Sequence, residues 1–350
     1  MRFRLMIMAV SVSIFTVFAS CSSTPVSHRL LDEVRHGHDS VQVGTHDTIM
    51  EEYKHLTIDN TVSDVINTPA FKGFGQYVLP SEWHYDPDMK LKYIPSLLPY
   101  HNYVDANRSA GYINMMIDMR KRGEKLFYPI GRKDAGLFFF PGKPDAPFAV
   151  ICPGGGFSYV GSIHEGFPLA IELSKKGYNA FVIQYSVAYG AQGAVEDLAA
   201  GIDYIFRHAL ELKVSTRDYS VWGGSAGARM AAYIGSYTPA AFGNFVNARP
   251  ATVVMGYTGH SEYTRLDPPT YVVIGANDGI ASPAIMRRRV EALKAIGIDS
   301  EFHLFPNLRH GFGLGTGTSA DRWIDGAVRF WEKHMNTSDK INIPIKEYEN

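Results

Sequence analysis

Cysteine is nearly absent from this sequence. Its 350 residues include two, Cys21 and Cys152, so no disulfide framework staples the fold and stability must come from a packed core. A dominant charge is missing as well: 34 Lys and Arg stand against 35 Asp and Glu, a net charge of −1. Beyond the first few residues no run of Lys and Arg exceeds three, which argues against nucleic acid as a partner. Internal repeats and low-complexity segments are lacking too. The apolar run from Leu5 to Ala19 is shorter than the roughly 20 residues a spanning helix needs. The chain beyond that run is long enough for one α/β-sized domain with an extension.

Arg2 and Arg4 precede the apolar run, and Phe18-Ala19-Ser20-Cys21 ends it. A basic start, a short apolar stretch and a small-residue exit predict a secretory signal over 1–20 and an exported protein. Cys21 after Ala19-Ser20 resembles the lipobox of bacterial lipoproteins, with Phe18 where Leu is usual. The resemblance implies that Cys21 is lipidated and anchors the chain to a bacterial membrane on its periplasmic or cell-surface side. An ordinary cleaved signal and a retained anchor are the alternatives.

Residues 21–60 are polar and read as a tether. His36, His38 and Asp39 in "HGHD" could share a metal ion, yet no second ligand group with a recognised spacing stands near them. Neither a metal nor a cofactor is expected. Residues 61–123 are rich in Tyr, Pro, Met and His, including Tyr77, Trp83, Tyr85, Tyr93, Tyr100 and Tyr103. Only "AGYINMMIDMRKRGE" has a helical period there. Such aromatic content packs onto something or lines a groove. We expect Phe71–Tyr103 to fold over the carboxyl edge of the core sheet as a cap and to form one wall of the acyl or leaving-group pocket.

From 124 to about 340 the pattern is regular. "KLFYPI", "GLFFFP" and "FAVICP" are apolar runs separated by "GRKDA" and "GKPDA", short turns that suit antiparallel strands. Pro129 marks the first as an edge strand. Strands then alternate with helices: "FPLAIELSKKG", "NAFVIQYSV", "AVEDLAAGIDYIFRHALEL", "YSVWGG", "AGARMAAYIGSY", "ATVVMGY", "TYVVIGAND", "SPAIMRRRVEALKAIG", "SEFHLFPN" and "SADRWIDGAVRFWEKHM". Crossovers of this length predict an α/β fold, a doubly wound, mostly parallel sheet with antiparallel first strands.

Open parallel sheets place their sites at the carboxyl ends of the strands. There "CPGGGF" and "GGSAG" stand out. The first brings backbone N–H groups toward something negative, a phosphate or a reacting oxyanion. The second fits G-x-S-x-G, in which glycines two before and two after Ser225 clear space around a strained strand-to-helix turn. A serine hydroxyl needs a base, and that base an orienting carboxylate. Asp278 follows "TYVVIGAN" and His310 follows the last strand in "PNLRHGFG". Asp278 could instead cap the next helix. His303 lies within a strand, His260 precedes the acid, and Ser261 lacks paired glycines. The order Ser225, Asp278, His310, each after its own strand, is that of α/β-hydrolases.

From about Leu126 to Met335 the chain resembles the α/β-hydrolase superfamily. The likeness is to its bacterial esterase and lipase branch, related to acetyl xylan esterases and hormone-sensitive-lipase-type enzymes. "CPGGGF", "GYNAFVIQYSV", "WGGSAG", "GANDGI" and "RHGFGLGTGTSADRWIDGAVRFWE" carry it. Pro153 stands where lipases of that type write His, and Ala228 where a second Gly is common. The resemblance implies Ser225 as nucleophile, His310 as base and Asp278 as its orienter, with an oxyanion hole from the N–H groups of Gly155, Gly156 and Ala226. It implies a short-acyl ester substrate such as an acetylated carbohydrate. A small peptidase or amidase, or a non-catalytic surface-binding lipoprotein, are the alternatives. Nucleotide fingerprints do not fit: Tyr159 occupies the third glycine of G-x-G-x-x-G, and Ser162 and Ile163 the Lys and Ser/Thr of a P-loop.

Overall fold

A computed structural model of the protein describes residues 53–80, 86–98 and 101–335. The signal, Cys21, "HGHD", Trp83, Tyr85 and Tyr100 lie outside the described residues. The rest falls in one unit, Gly44–Asn350, built on eight strands: β1 Phe127–Pro129, β2 Gly136–Phe140, β3 Pro147–Cys152, β4 Asn179–Gln184, β5 Ser215–Gly224, β6 Thr252–Gly256, β7 Thr270–Gly275 and β8 Ser300–Phe305. They form one sheet in the order β1-β2-β4-β3-β5-β6-β7-β8. β1 with β2 and β2 with β4 are antiparallel; every later pairing is parallel.

The residue types explain this order. β3, β4, β6 and β7 are buried along their whole length, as strands covered by helices on both faces must be. β1, with Pro129 at its end, lies at the sheet's edge, where a missing N–H breaks no inner ladder. In the two turns that join β1 to β2 and β2 to β3, Asp134 and Asp145 take positive φ (67° and 60°), a conformation Asp tolerates. The long helix expected after β4 is broken at His208 into Gly190–Arg207 and Ala209–Leu212. The last begins at Trp323, later than its periodicity suggested.

The N-terminal part departs from expectation in two ways. Residues 53–60, expected within the tether, are already docked: Leu56 N–H donates to Asn114 Oδ1 at 2.8 Å, and Asn114 Nδ2 returns a 2.8 Å bond to Leu56 O. Asn114 sits in the helix Ala106–Lys121. Phe71, Phe74 and Tyr77, from the aromatic stretch expected to cap the site, also pack elsewhere. Phe74 and Tyr77 stack on Phe127 at 5.5 and 5.4 Å, Phe74 meets the edge of Phe138, and Tyr77 donates its hydroxyl to Asp134. Phe71, Val62 and Val65 are fully buried there. The antiparallel end of the sheet has an apolar face that Phe167 of the crossover helix covers only in part, and this stretch packs on it too.

Candidate active site

β5 lies at the centre of the sheet between β3 and β6. At its end the chain turns through Ser225, at φ 52° and ψ −118°, directly into the helix Ala226–Tyr237. The turn is possible only with glycine around it. A Cβ on Gly223 would lie 2.3 Å from the carbonyl carbon of Gly227, and one on Gly227 would lie 1.9 Å from the Cys152 carbonyl oxygen. The spacing of G-x-S-x-G is therefore a steric requirement here.

His310 follows β8 and Asp278 follows β7. Three hydrogen-bonding contacts bring them to Ser225. His310 Nε2 is 2.9 Å from Ser225 Oγ; His310 Nδ1 is 2.9 Å from Asp278 Oδ2 and 3.1 Å from Oδ1. A carboxylate only accepts, so Nδ1 carries the proton and Nε2 is left to accept from the serine hydroxyl. The side chains of His310 and Asp278 are 4% and 0% exposed. Asp278 does cap the turn after β7, accepting the N–H groups of Ile280 and Ala281 at 2.9 and 2.7 Å through Oδ1. It does not cap the next helix, Pro283–Ala295, whose N-cap position is Ser282. The Tyr257 ring packs edge-on against the imidazole at 5.2 Å.

A cavity of about 410 Å³ opens beside Ser225. Gly156, Phe157 and Ala226 line it and Gly155 does not, so two of the three residues expected to form the oxyanion hole border the cavity. Ala226 opens its helix, so its N–H has no partner within the helix. Gly155 and Gly156 take φ of 133° and 61°, and a Cβ on Gly155 would meet the Tyr159 carbonyl oxygen at 2.1 Å. The opposite wall is polar, with Arg229, Thr258, His260, Ser261 and Glu262. No residue of 53–123 lines this cavity among the described residues.

Rival groups are disarmed by burial. Burial pushes the Cys152 thiol up, keeping it protonated. Among the described residues no cluster of His, Cys, Asp and Glu could hold a metal ion.

Sequence reasoning missed Glu165 and His164, which lie behind the site. Glu165 is fully buried; burial would raise its pKa, but the charge and hydrogen bond of His101 hold it at about 2. Burial, then the charge of His101, lowers His164 to about 4, and burial, then Arg289, lowers His260 likewise to about 4. A histidine with a depressed folded pKa stays neutral while its unfolded counterpart takes up a proton. Stability is therefore full above pH 6.5 and falls as pH drops toward 4, with uptake of about one proton per histidine on unfolding. Urea midpoints measured across that window should fall steadily. His164→Gln should flatten the slope by about one proton's worth, and an unchanged slope in that variant would contradict the assignment.

Strand order, elbow and acid–base pair together define an α/β-hydrolase fold, and its likeness is to the esterase branch of that superfamily. Residues 140–253 match the BD-FAE family model. Over 209 residues the chain is 24% identical to an acetylxylan esterase of Xylanibacter ruminicola, an alignment covering 51% of this chain and 43% of that one. The chain thus spans less than half the length of this relative. Among solved structures, the carboxylesterase Cest-2923 from Lactobacillus plantarum superposes with a TM-score of 0.53 at 20% identity, covering 61% of this chain and 99% of that one. An acetyl ester-xyloside bifunctional hydrolase from Caldicellulosiruptor lactoaceticus gives 0.51 at 21% identity, covering 57% and 88%.

Proposed function

We propose that the protein is a serine hydrolase that cleaves short-acyl carboxylic esters of polar, carbohydrate-like alcohols. The observation that carries this reading is the imidazole of His310, placed 2.9 Å from Ser225 Oγ and 2.9 Å from Asp278 Oδ2 at the mouth of a cavity. In this mechanism His310 Nε2 takes the hydroxyl proton as Ser225 Oγ attacks the ester carbonyl. The carbonyl oxygen gains negative charge and is met by the amides of Gly156 and Ala226. His310 then gives its proton to the leaving alkoxide. Water, deprotonated by the same imidazole, releases the acyl group and restores the serine. Asp278 keeps Nδ1–H directed inward and stabilises the imidazolium while it exists.

Two observations favour a small acyl group and a polar alcohol. Arg229, Ser261 and Glu262 on the cavity wall offer charge-assisted hydrogen bonds of the kind sugar hydroxyls use, and the cavity, at about 410 Å³, is shared between the acyl group and the alcohol. The acetylxylan esterase relative acts on such a substrate by its name. With Cys21 lipidated, as its lipobox-like context leads us to propose, the enzyme would work from a membrane surface.

Acetate release from acetylated xylo-oligosaccharides, alongside p-nitrophenyl esters of increasing acyl length, tests the reading. The expected outcome is acetate release and a fall in kcat/KM of about 10-fold or more from acetyl to octanoyl. Cleavage of aminoacyl anilides without acetate release would move the assignment to an amidase.

A further inference from the structure

Three glycines in a row make a loop that does not hold its own shape, yet an oxyanion hole must hold its donors to within about 0.5 Å. What fixes this loop is a buried carboxylate. Glu165 lies in the single π-helical turn Ser162–Gly166 and is 1% exposed; such turns are frequent at functional sites. Its Oε2 accepts the Gly154 N–H at 2.6 Å, and the Tyr257 hydroxyl also bonds to it. A Cβ on Gly154 would sit 2.6 Å from Oε2 and 2.9 Å from Ser225 Cβ, and one on Gly224 would sit 2.8 Å from Oε2. The carboxylate is thus packed between the glycine loop and the serine turn.

Its other oxygen faces the N-terminal extension. Glu165 Oε1 is 3.0 Å from His101 Nε2, both side chains 1% exposed, and His101 Nδ1 is 2.8 Å from the Tyr159 hydroxyl. The next two residues hold the loop of the catalytic histidine. Asn102 donates its backbone N–H to Gly311 O at 3.1 Å and its Nδ2 to His310 O at 2.5 Å, and the Tyr103 hydroxyl accepts the Arg309 N–H at 3.2 Å. His164, one residue before Glu165, is bonded to Gly311 O at 3.0 Å.

We propose that Glu165, His101 and Asn102 are positioning residues that hold the oxyanion loop and the His310 loop in register. The short segment 101–103 is then a working part of the site, although it lies outside the region matched by the family model. A buried carboxylate–imidazole contact adds little stability against an apolar replacement of the same shape, so a purely structural role explains its presence poorly. A buried carboxylate alone near a forming oxyanion would oppose the reaction, and the His101 partner offsets that charge. The proposal rests on the ester-hydrolase reading of the site.

The test compares wild type, Glu165→Ala, Glu165→Gln and Asn102→Ala by aryl acetate kinetics and by amide hydrogen exchange of peptides spanning 152–158 and 306–313. Glu165→Ala should lower kcat by about 10²–10³-fold with KM nearly unchanged, and exchange of 152–158 should quicken. Glu165→Gln keeps an acceptor for Gly154 and should recover about 10-fold or more of that loss. Asn102→Ala should lower kcat by about 10–100-fold and quicken exchange in 306–313; it keeps the proposal decidable should Glu165→Ala not fold. Unchanged exchange in both loops, or losses carried by KM, would overturn it. Wild-type protein that cleaves no ester would instead sink the hydrolase reading, and the exchange data would still decide the bracing.

Discussion

Ser225→Ala is expected to lower kcat for aryl acetate hydrolysis by about 10⁶-fold and to abolish labelling by a fluorophosphonate. The size comes from how the site is built. The hydroxyl is hydrogen-bonded to the His310 imidazole, at 2.9 Å, and lines the cavity, so its removal leaves the base without the group it would deprotonate toward the substrate. Nothing else can take over. Ser261 also lines the cavity, but the hydroxyl that donates to His310 Nε2 is that of Ser225, and the Cys152 thiol is buried and held protonated. The fold should survive. Ser225 N–H donates to Gly256 O at 2.9 Å, a backbone bond alanine keeps, and the strain of φ 52° is common to both residues. A cooperative melt within a few degrees of wild type is the control. Undiminished turnover would remove Ser225 from the mechanism.

The strands and the serine turn were legible because their causes are local. Apolar runs such as "FAVIC" and "TYVVIG" are strands buried on both faces, and the glycines beside Ser225 are demanded by contacts within a few residues and with the neighbouring strand. Asp278 and His310 were legible through their place just after strands that the pattern already showed. Glu165, His101 and Asn102 had no such signal. His101 reaches Glu165 across 64 positions, and Asn102 reaches His310 across 208, so nothing near either residue in sequence announces its partner. The aromatic extension shows a second limit. Composition marks Phe71, Phe74 and Tyr77 as residues that must pack, but not against what. The apolar face of β1 and β2, which Phe167 of the crossover helix covers only in part, competes with the site for them and takes them.

Asp278→Asn should cost about 10⁴-fold in kcat while leaving the melt and KM nearly unchanged, for a reason specific to this loop. An asparagine here is not free to choose its flip. The Oδ1 position receives two backbone donors, the N–H groups of Ile280 and Ala281 at 2.9 and 2.7 Å. Only an oxygen satisfies them; an amide NH₂ there would set donor against donor at a side chain that is itself 0% exposed. The NH₂ is therefore driven into the place of Oδ2, which faces His310 Nδ1 at 2.9 Å. A donor at that place requires Nδ1 to accept, which puts the imidazole proton on Nε2. Nε2 then has no lone pair for the Ser225 hydroxyl, and the base is lost while every atom stays in position. Two further results separate this account from simple loss of negative charge. Asp278→Ala leaves the imidazole free to adopt the productive tautomer, so it should retain more activity than Asp278→Asn despite the cruder change, though with a lower melting temperature because the turn amides lose their acceptor. In addition, ¹⁵N shifts of the His310 ring should report the Nε2–H tautomer in Asp278→Asn and the Nδ1–H tautomer in wild type. Equal activity of the two variants with an unchanged tautomer would show that charge, and not the fixed flip, is what Asp278 supplies.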